Sequence, residues 1–550
     1  MKKILIVGGV AGGASAAARL RRLDEHSEII IFERGEHVSF ANCGIPYYIG
    51  GVIKDKEDLL LQTPEGFRRR FNIDVRTLSE VLSINPEQKN VTVKNLVSGE
   101  IYCETYDKLI LSPGAEPIRP PVSGIDSPYV FSIRTIADAA AIKSHVEKFR
   151  PKTAAIVGGG FIGVEMAENL SAAGLDVHII ELSEQVIAPL DIDMACDIHR
   201  YLRQRGVSLH LKNGLQKIEE QNGRLRLTLT NGALEADIAV LAIGVKPESG
   251  LAKEAGLELN SRGGIITDKH MRTSNPDIYA AGDATEATDF VTGQPVMVPL
   301  AGPANKQGRI AADNICGAAL EYNGTQGSFA IKIFGMTAAA TGVNEKIAKR
   351  LNLDYDKIFL WLQNHAAYYP DAKPISIKVI FEKQTGKILG AQLFGFGGAD
   401  KRCDVFATAI RAGMNASGLS QLELCYAPPY SSAKDPVNMA GFVIENILAG
   451  RLAQFHWHDV DALPRDGSVI LLDVRTARET ANGCIGGFIN IPLDDLRGRI
   501  GELDKTKPVY AHCQIGLRSY IAVRILMQNG FEAYSLSGGY RLYEAMKKNN

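Results

Sequence analysis

The chain has no C-x-x-C pair, and its eight cysteines are scattered through 550 residues. That excludes a disulfide-stapled framework, an ordinary zinc site and a dithiol exchanging with its own neighbour. An excess of one charge is lacking too. The formal net charge is −1, so bulk electrostatics offer nothing to nucleic acid or to an anionic membrane. No apolar run reaches about 18 residues, so no membrane span is expected. The start, Met-Lys-Lys and an apolar run to Ala18, imitates a signal peptide, but its glycines follow a pattern with another meaning. A reducing cytoplasm is the expected location. At roughly 150 residues per domain the length implies about three or four domains. The 45% hydrophobic content is that of a chain able to bury large cores.

Lys3–Val7 reads as a short apolar strand running into Gly8-Gly9-Val10-Ala11-Gly12-Gly13 and an Ala-rich helix, Ala14–Leu23. Such a loop brings backbone amides and a helix N-terminus to a pyrophosphate. Gly8 and Gly13 fill the first and third glycine places; Val10 stands in the second, with Gly9 beside it. A second strand, Glu28–Phe32, ends at Glu33, an acid placed for a ribose hydroxyl pair. The pattern recurs more fully later. Strand Thr153–Val157 leads into Gly158, Gly160 and Gly163, then a helix, then strand Asp176–Ile180 ending at Glu181. A carboxylate there opposes a 2′-phosphate, and no arginine cluster follows, which favours NADH over NADPH. Residues 50–105 read as a small insertion of strands with one basic helix, Glu65–Phe71.

Cys43 lies ten residues past Glu33, in Ser39-Phe40-Ala41-Asn42-Cys43-Gly44-Ile45-Pro46. It is either a buried structural cysteine or a lone thiolate that forms a mixed disulfide with a substrate sulfur. Glycine and proline around it argue for a shaped loop. Arg19 and Arg22 share one helix face, either solvated or facing an anionic substrate tail. Strand-breaking Pro113-Gly114 and Gly244-Val245-Lys246-Pro247 echo one another. Tyr279-Ala280-Ala281-Gly282-Asp283 is a buried strand ending in an acid placed for a flavin's ribityl chain or phosphates. Pro299–Ala311 reads as a helix whose N-terminus faces the flavin ring.

These motifs resemble the pyridine nucleotide–disulfide oxidoreductase family over roughly residues 1–450. The single-cysteine loop resembles its coenzyme A–disulfide reductase and NADH-dependent persulfide reductase branch, with NADH oxidases and peroxidases as neighbours. The resemblance implies FAD on the first unit, NAD(P)H on the second, and coenzyme A as substrate or ligand. It implies that Gly8, Gly9, Gly12, Gly13, Glu33, Arg34 and Gly114 contact cofactor, with Gly158, Gly160, Gly163 and Glu181 in the second unit and Gly244, Gly282, Asp283 and Ala301 beyond it. It places Arg19, Arg22, Ser39, Asn42 and Lys434 at coenzyme A. The proline-flanked tyrosine segments His365–Pro370 and Tyr426–Ser431 would be structural or interfacial on their own. The resemblance makes Tyr368 and Tyr426 hydrogen-bond donors to the active cysteine of the partner subunit, hence a homodimer acting on small-molecule sulfur substrates.

A separate pattern closes the chain. Strand Val469–Leu472 ends in Asp473-Val474-Arg475. Pro508–Ala511 delivers His512-Cys513-Gln514-Ile515-Gly516-Leu517-Arg518 before an apolar helix. A cysteine on such a loop meets amide donors and a helix dipole, which lower a thiol's pKa and hold an anion. Four residues separate Cys513 from Arg518; phosphatase loops enclose five. The segment resembles a rhodanese domain over roughly residues 460–548, with Cys484 where that family commonly has histidine. Cys513 and Arg518 are the implied catalytic pair. The expected fold class is α/β. An FAD-binding domain (1–114 and 244–325) would surround an NAD(P)H-binding domain (115–243), both Rossmann-like. An α+β dimerisation domain (326–450), a linker (451–462) and a rhodanese domain (463–550) would follow. The expected activity is reduction of coenzyme A persulfide, polysulfide or coenzyme A disulfide through Cys43, with sulfane sulfur handled at Cys513. Rival readings are an NADH oxidase or peroxidase cycling Cys43 through sulfenic acid, and a flavin-binding redox sensor or scaffold.

Overall fold

The computed structural model describes residues 2–549. The chain divides into two compact units. One holds Met1–Val186 with Gly206–Gly327, the other Ile187–Arg205 with Ser328–Asn550.

The first unit is built on two parallel five-stranded sheets. In one the order is Ile278–Ala280, Lys108–Leu111, Lys3–Val7, Glu28–Phe32, Asp74–Arg76. In the other it is Ser208–His210, Asp176–Ile180, Thr153–Val157, Ile238–Leu241, Val130–Ser132. The central strands are covered on both faces, which is why they read as unbroken apolar runs; Leu5, Ile6, Ala155 and Ile156 are fully buried. Three-stranded antiparallel sheets at Ser79–Thr105 and Leu215–Ala236 are insertions beside these cores. The basic helix spans Pro64–Phe71, capped by Thr63 with proline in its first turn. The first long helix begins at Ala11, three residues earlier than its alanine pattern indicates, because extended Val10 serves as its N-cap.

The second unit carries a five-stranded antiparallel sheet, Phe329–Ile333, Met336–Gly342, Ile388–Gly395, Pro374–Glu382, Tyr355–Gln363. It also carries a parallel sheet in the order Ala453–Phe455, Ala533–Leu536, Val509–His512, Ile470–Asp473, Ile489–Asn490. Residues 451–462, expected as linker, thus contribute an edge strand. They are also tied to the antiparallel sheet: Gln454 donates to Asp356 and to the Lys357 carbonyl, and His456 meets Asp356 at 3.1 Å. Beneath them Lys378 is fully buried among Asp191, Asp193 and Glu345, at 3.0, 2.8 and 2.5 Å. Those three carboxylates have the spacing of a cation site, and the Lys378 ammonium fills it. Among the described residues no helix is long and apolar enough to cross a membrane.

Candidate active site

The two glycine loops are forced by close backbone approach. A Cβ on Gly8 would lie 2.1 Å from the Ser112 carbonyl oxygen, and one on Gly13 would lie 1.9 Å from the Gly8 oxygen. In the second fold the same distances are 2.2 Å, from Gly158 to the Ala242 oxygen, and 1.9 Å, from Gly163 to the Gly158 oxygen. Both central strands therefore end in a tight turn that only glycine permits. Gly160, capping helix Phe161–Ala172, faces open space, room for a pyrophosphate on the helix N-terminus.

The acids closing the second strands are held alike. Glu33 accepts from Gly9 N at 3.0 Å and Gly35 N at 2.8 Å. Glu181 accepts from Gly159 N and Ser183 N, both at 2.7 Å. Each acid fixes its own glycine loop. Arg34 pairs with Glu248, which also takes Arg134. Gly282 has φ 90° and its N–H donates to Gln307. Burial raises the neighbouring Asp283 carboxyl, with Arg134 opposing. Gly114 and Gly244 also have positive φ. Helix Ala301–Ile315 crosses the first helix so closely that a Cβ on Gly308 would meet the Gly12 oxygen at 2.2 Å. Gln307 and Gly308 escaped the sequence reading because their partners lie in distant segments. These cradles fit two dinucleotides: backbone amides for phosphates, an acid for each ribose.

Cys43 sits on a 3₁₀ turn, Asn42–Gly44, that leads into the short helix Ile45–Ile49. That helix runs into Gly50, packed on Asn169 of the second fold's glycine-loop helix. The cysteine loop therefore bridges the two nucleotide folds. Cys43 reaches solvent, yet partial desolvation raises its thiol, and the Glu165 and Asp283 carboxylates add to the rise. Burial in turn lifts Glu165 to about 6, while a hydrogen bond from Tyr47, 3.2 Å away, opposes that lift. Within this unit, therefore, desolvation first and the two acids second favour the protonated thiol.

A cleft of about 380 Å³ opens between the first helix, the Cys43 loop, the basic helix and helix Ala301–Ile315. It unites Arg19, Arg22 and Ser39 with Phe67, Phe71 and Arg309. Arg19 is not free: Asp313 binds it at 2.5 and 3.0 Å. Ser39 has φ 49°, and its carbonyl takes both Leu61 N and Gln62 N. Asn42 is exposed outside the cleft lining; Lys434 is an exposed residue of the second unit.

In the second unit the hydroxyls of Tyr368 and Tyr426 lie 2.8 Å apart, with the rings 76% and 47% exposed. Their loops are laced by Arg402, which is buried and donates to Asn364 O, Ser431 Oγ and Asp435. Elsewhere in this unit Cys513 ends strand Val509–His512, fully buried, its Sγ accepting from Gly516 N at 3.1 Å and facing Ser519 Oγ at 3.5 Å. Arg475 is buried beneath, bonded to Asp473 and Gln514 and stacked on Tyr540. Arg518 is gripped by Glu479 at 2.5 and 2.7 Å.

Two dinucleotide folds sharing one cysteine loop, with a second cysteine on a strand-to-helix anion loop, define a two-nucleotide redox protein carrying a second sulfur domain. The chain belongs to the pyridine nucleotide-disulphide oxidoreductase family, which matches residues 2–308; that family's dimerisation domain matches 329–436 and a rhodanese-like domain 456–546. It is 37% identical over 444 residues to a coenzyme A disulfide reductase from Staphylococcus epidermidis, covering 80% of this chain and 99% of that protein. Among solved structures, reduced Bacillus anthracis CoADR-RHD superposes with TM-score 0.97 at 49% identity, covering 100% of this chain and 98% of that one. A NAD-dependent persulfide reductase from A. fulgidus superposes with TM-score 0.91 at 36% identity, covering 98% and 100%. The chain is therefore an oxidoreductase of a family that implies FAD and NAD(P)H; it carries a rhodanese-like domain and is similar to proteins named coenzyme A disulfide reductase and persulfide reductase.

Proposed function

We propose that this enzyme uses NADH to reduce the sulfur–sulfur bond of coenzyme A persulfide, coenzyme A disulfide or polysulfide, through Cys43, as a homodimer. The cleft beside the Cys43 loop carries this reading. Arg22 and Arg309 on its wall suit a phosphorylated nucleotide and half-buried Phe71 an adenine, while Arg19 is already held by Asp313. Coenzyme A has both groups, with a thiol at the far end of its arm. The Cys43 thiolate attacks the sulfur on the coenzyme A side of a persulfide. A Cys43–coenzyme A mixed disulfide forms and hydrosulfide leaves with the electron pair of the broken bond. The glycine-loop cradles would hold flavin and NADH, whose chemistry would supply the electron pair needed for Cys43 to return to thiolate and coenzyme A to leave as its thiol. Tyr368 and Tyr426 of the partner would donate hydrogen bonds to the sulfur anion. Glu181 would set the NADH preference, and Cys513 would carry sulfane sulfur as a persulfide.

The test pairs two variants in steady-state assays. Cys43→Ser should abolish reduction of every sulfur acceptor while NADH still bleaches the flavin. Cys513→Ser should keep coenzyme A disulfide reduction and lose sulfur transfer to cyanide. Turnover with oxygen or peroxide exceeding that with coenzyme A persulfide would replace this reading with an oxidase one. For the homodimer, mixing Cys43→Ser chains with Tyr426→Phe chains should restore activity through one intact site; a fully active monomer in light scattering would exclude it.

A further inference from the structure

The mouth of the Cys513 loop is unusual in its charge. An anion loop at a helix N-terminus gains most from a free guanidinium, and Arg518 stands in the first turn of helix Leu517–Gln528. Glu479 cancels it. Arg518 Nη1 donates to Glu479 Oε2 at 2.7 Å and Nη2 to Oε1 at 2.5 Å, a bidentate pair that occupies both terminal nitrogens. The same carboxylate accepts from Thr476 N and Oγ1, closing a capping box on helix Ala477–Ala481. It is therefore held from two sides. The other arginine of the loop, Arg475, is buried and taken by Asp473, Gln514 and the Gly483 carbonyl. Around the mouth Leu517 is 60% exposed and Ile515 36%. The entrance is thus a neutralised ion pair flanked by two aliphatic side chains.

We propose that Glu479 is the specificity-determining residue of the rhodanese domain, steering Cys513 toward sulfane sulfur carried on an organic thiol and away from sulfonate-borne sulfane sulfur such as thiosulfate. The inference rests on the reading of Cys513 as a sulfur carrier. With an organic persulfide, the Cys513 thiolate attacks the outer sulfur. The sulfur–sulfur bond of the donor breaks, its electron pair leaves on the donor thiolate, and Cys513 becomes a persulfide. With thiosulfate the leaving group is sulfite, a dianion formed at the loop mouth. That charge needs a cation, and the one beside it is already spoken for by Glu479. A thiolate leaving group on an organic arm needs less charge and gains apolar contact with Ile515 and Leu517.

The experiment uses full-length holoenzyme with thiosulfate and glutathione persulfide as donors and cyanide as acceptor. Glu479→Gln keeps an oxygen that can accept in the capping box but frees the Arg518 charge. It should raise kcat/KM for thiosulfate on the order of tenfold relative to the persulfide, the worth of one partly screened charge. The gain should fade in high salt. In Glu479→Gln/Arg518→Gln it should disappear. Leu517→Arg, which leaves Glu479 untouched, should also raise thiosulfate use and serves if Glu479→Gln melts early. An unchanged donor ratio in Glu479→Gln, or an equal loss with both donors at unchanged melting temperature, would overturn the proposal. Sulfur transfer surviving in Cys513→Ser would overturn the carrier reading instead.

Discussion

Glu181 offers the sharpest quantitative test of nucleotide choice. Its carboxylate is fixed at the end of strand Asp176–Ile180 by two backbone N–H groups, Gly159 and Ser183, each at 2.7 Å. It cannot swing away from an incoming 2′-phosphate without leaving both donors unpaired. At a separation of about 5 Å and an effective dielectric of about 20, each unit of phosphate charge meets it at a cost of about 3 kcal/mol. Screening near the surface leaves about half of that, so NADH should be preferred by at least about tenfold. Glu181→Gln removes the charge but leaves one of the two N–H donors facing an amide N–H₂, a loss of about 1–3 kcal/mol. NADH should therefore bind more weakly in the variant while the NADH/NADPH ratio falls about tenfold or more. Anaerobic stopped-flow reduction of the flavin with each nucleotide gives both numbers. Equal or better kcat/KM with NADPH in the unmodified enzyme, or an unchanged ratio in the variant, would refute the argument.

Arg402→Met should loosen the loops bearing Tyr368 and Tyr426 and strand the buried Asp435 carboxylate, costing about 3–5 kcal/mol; the first urea transition should fall with disulfide turnover, and unchanged turnover at the lowered midpoint would break the link. Lys378→Met leaves Asp191, Asp193 and Glu345 facing one another, so the first thermal transition of the holoenzyme should drop by about 3–5 kcal/mol equivalent; an unmoved transition would show that the cluster protonates instead. Burial pushes His512 down to about 4, against the pull of Asp473. A depressed histidine binds fewer protons folded than unfolded, so its stability is present above about 6.5 and lost as pH falls toward about 4, by up to roughly 3 kcal/mol. Acid unfolding followed by intrinsic fluorescence should show that loss, and His512→Phe should flatten it.

Much of the nucleotide cradle was legible because its causes are local. A turn that brings Gly13 against the Gly8 carbonyl admits no Cβ, so the glycine spacing carries the geometry directly. An acid at a strand end is likewise read off the strand. What stayed hidden lies between segments that no periodicity connects. Arg19 is bound by Asp313, Gly282 by Gln307, and Lys378 by carboxylates from two other segments. The helix face shared by Arg19 and Arg22 was visible; that an aspartate nearly three hundred residues away takes one of them was not. Residues 451–462 read as linker because three-residue edge strands such as Ala453–Phe455 have no pattern of their own. Glu479 was passed over for a related reason: in sequence it is one more acid on a short helix, and only the fold sets it against Arg518.

The electrostatics of Cys43 bear on how the proposed cycle is assembled. A thiol that must attack as thiolate sits where desolvation, Glu165 and Asp283 all favour the protonated form. A lysine or arginine at the sulfur would correct this, but it would also hold the thiolate too firmly to make a good nucleophile or leaving group. Neutral hydroxyl donors solve the problem differently. They lower the cost of the anion by hydrogen bonding without pairing its charge, and they withdraw when the sulfur is in a mixed disulfide. Tyr368 and Tyr426 have the required form: exposed, bonded to each other at 2.8 Å, and held on loops pinned by a buried arginine. The hydrogen bond with Tyr426 raises the Tyr368 hydroxyl, which keeps Tyr368 protonated and able to donate. An acidic cysteine pocket and a neutral tyrosine pair are each a poor sulfur site alone. The proposed homodimer would gain its thiolate by bringing one to the other.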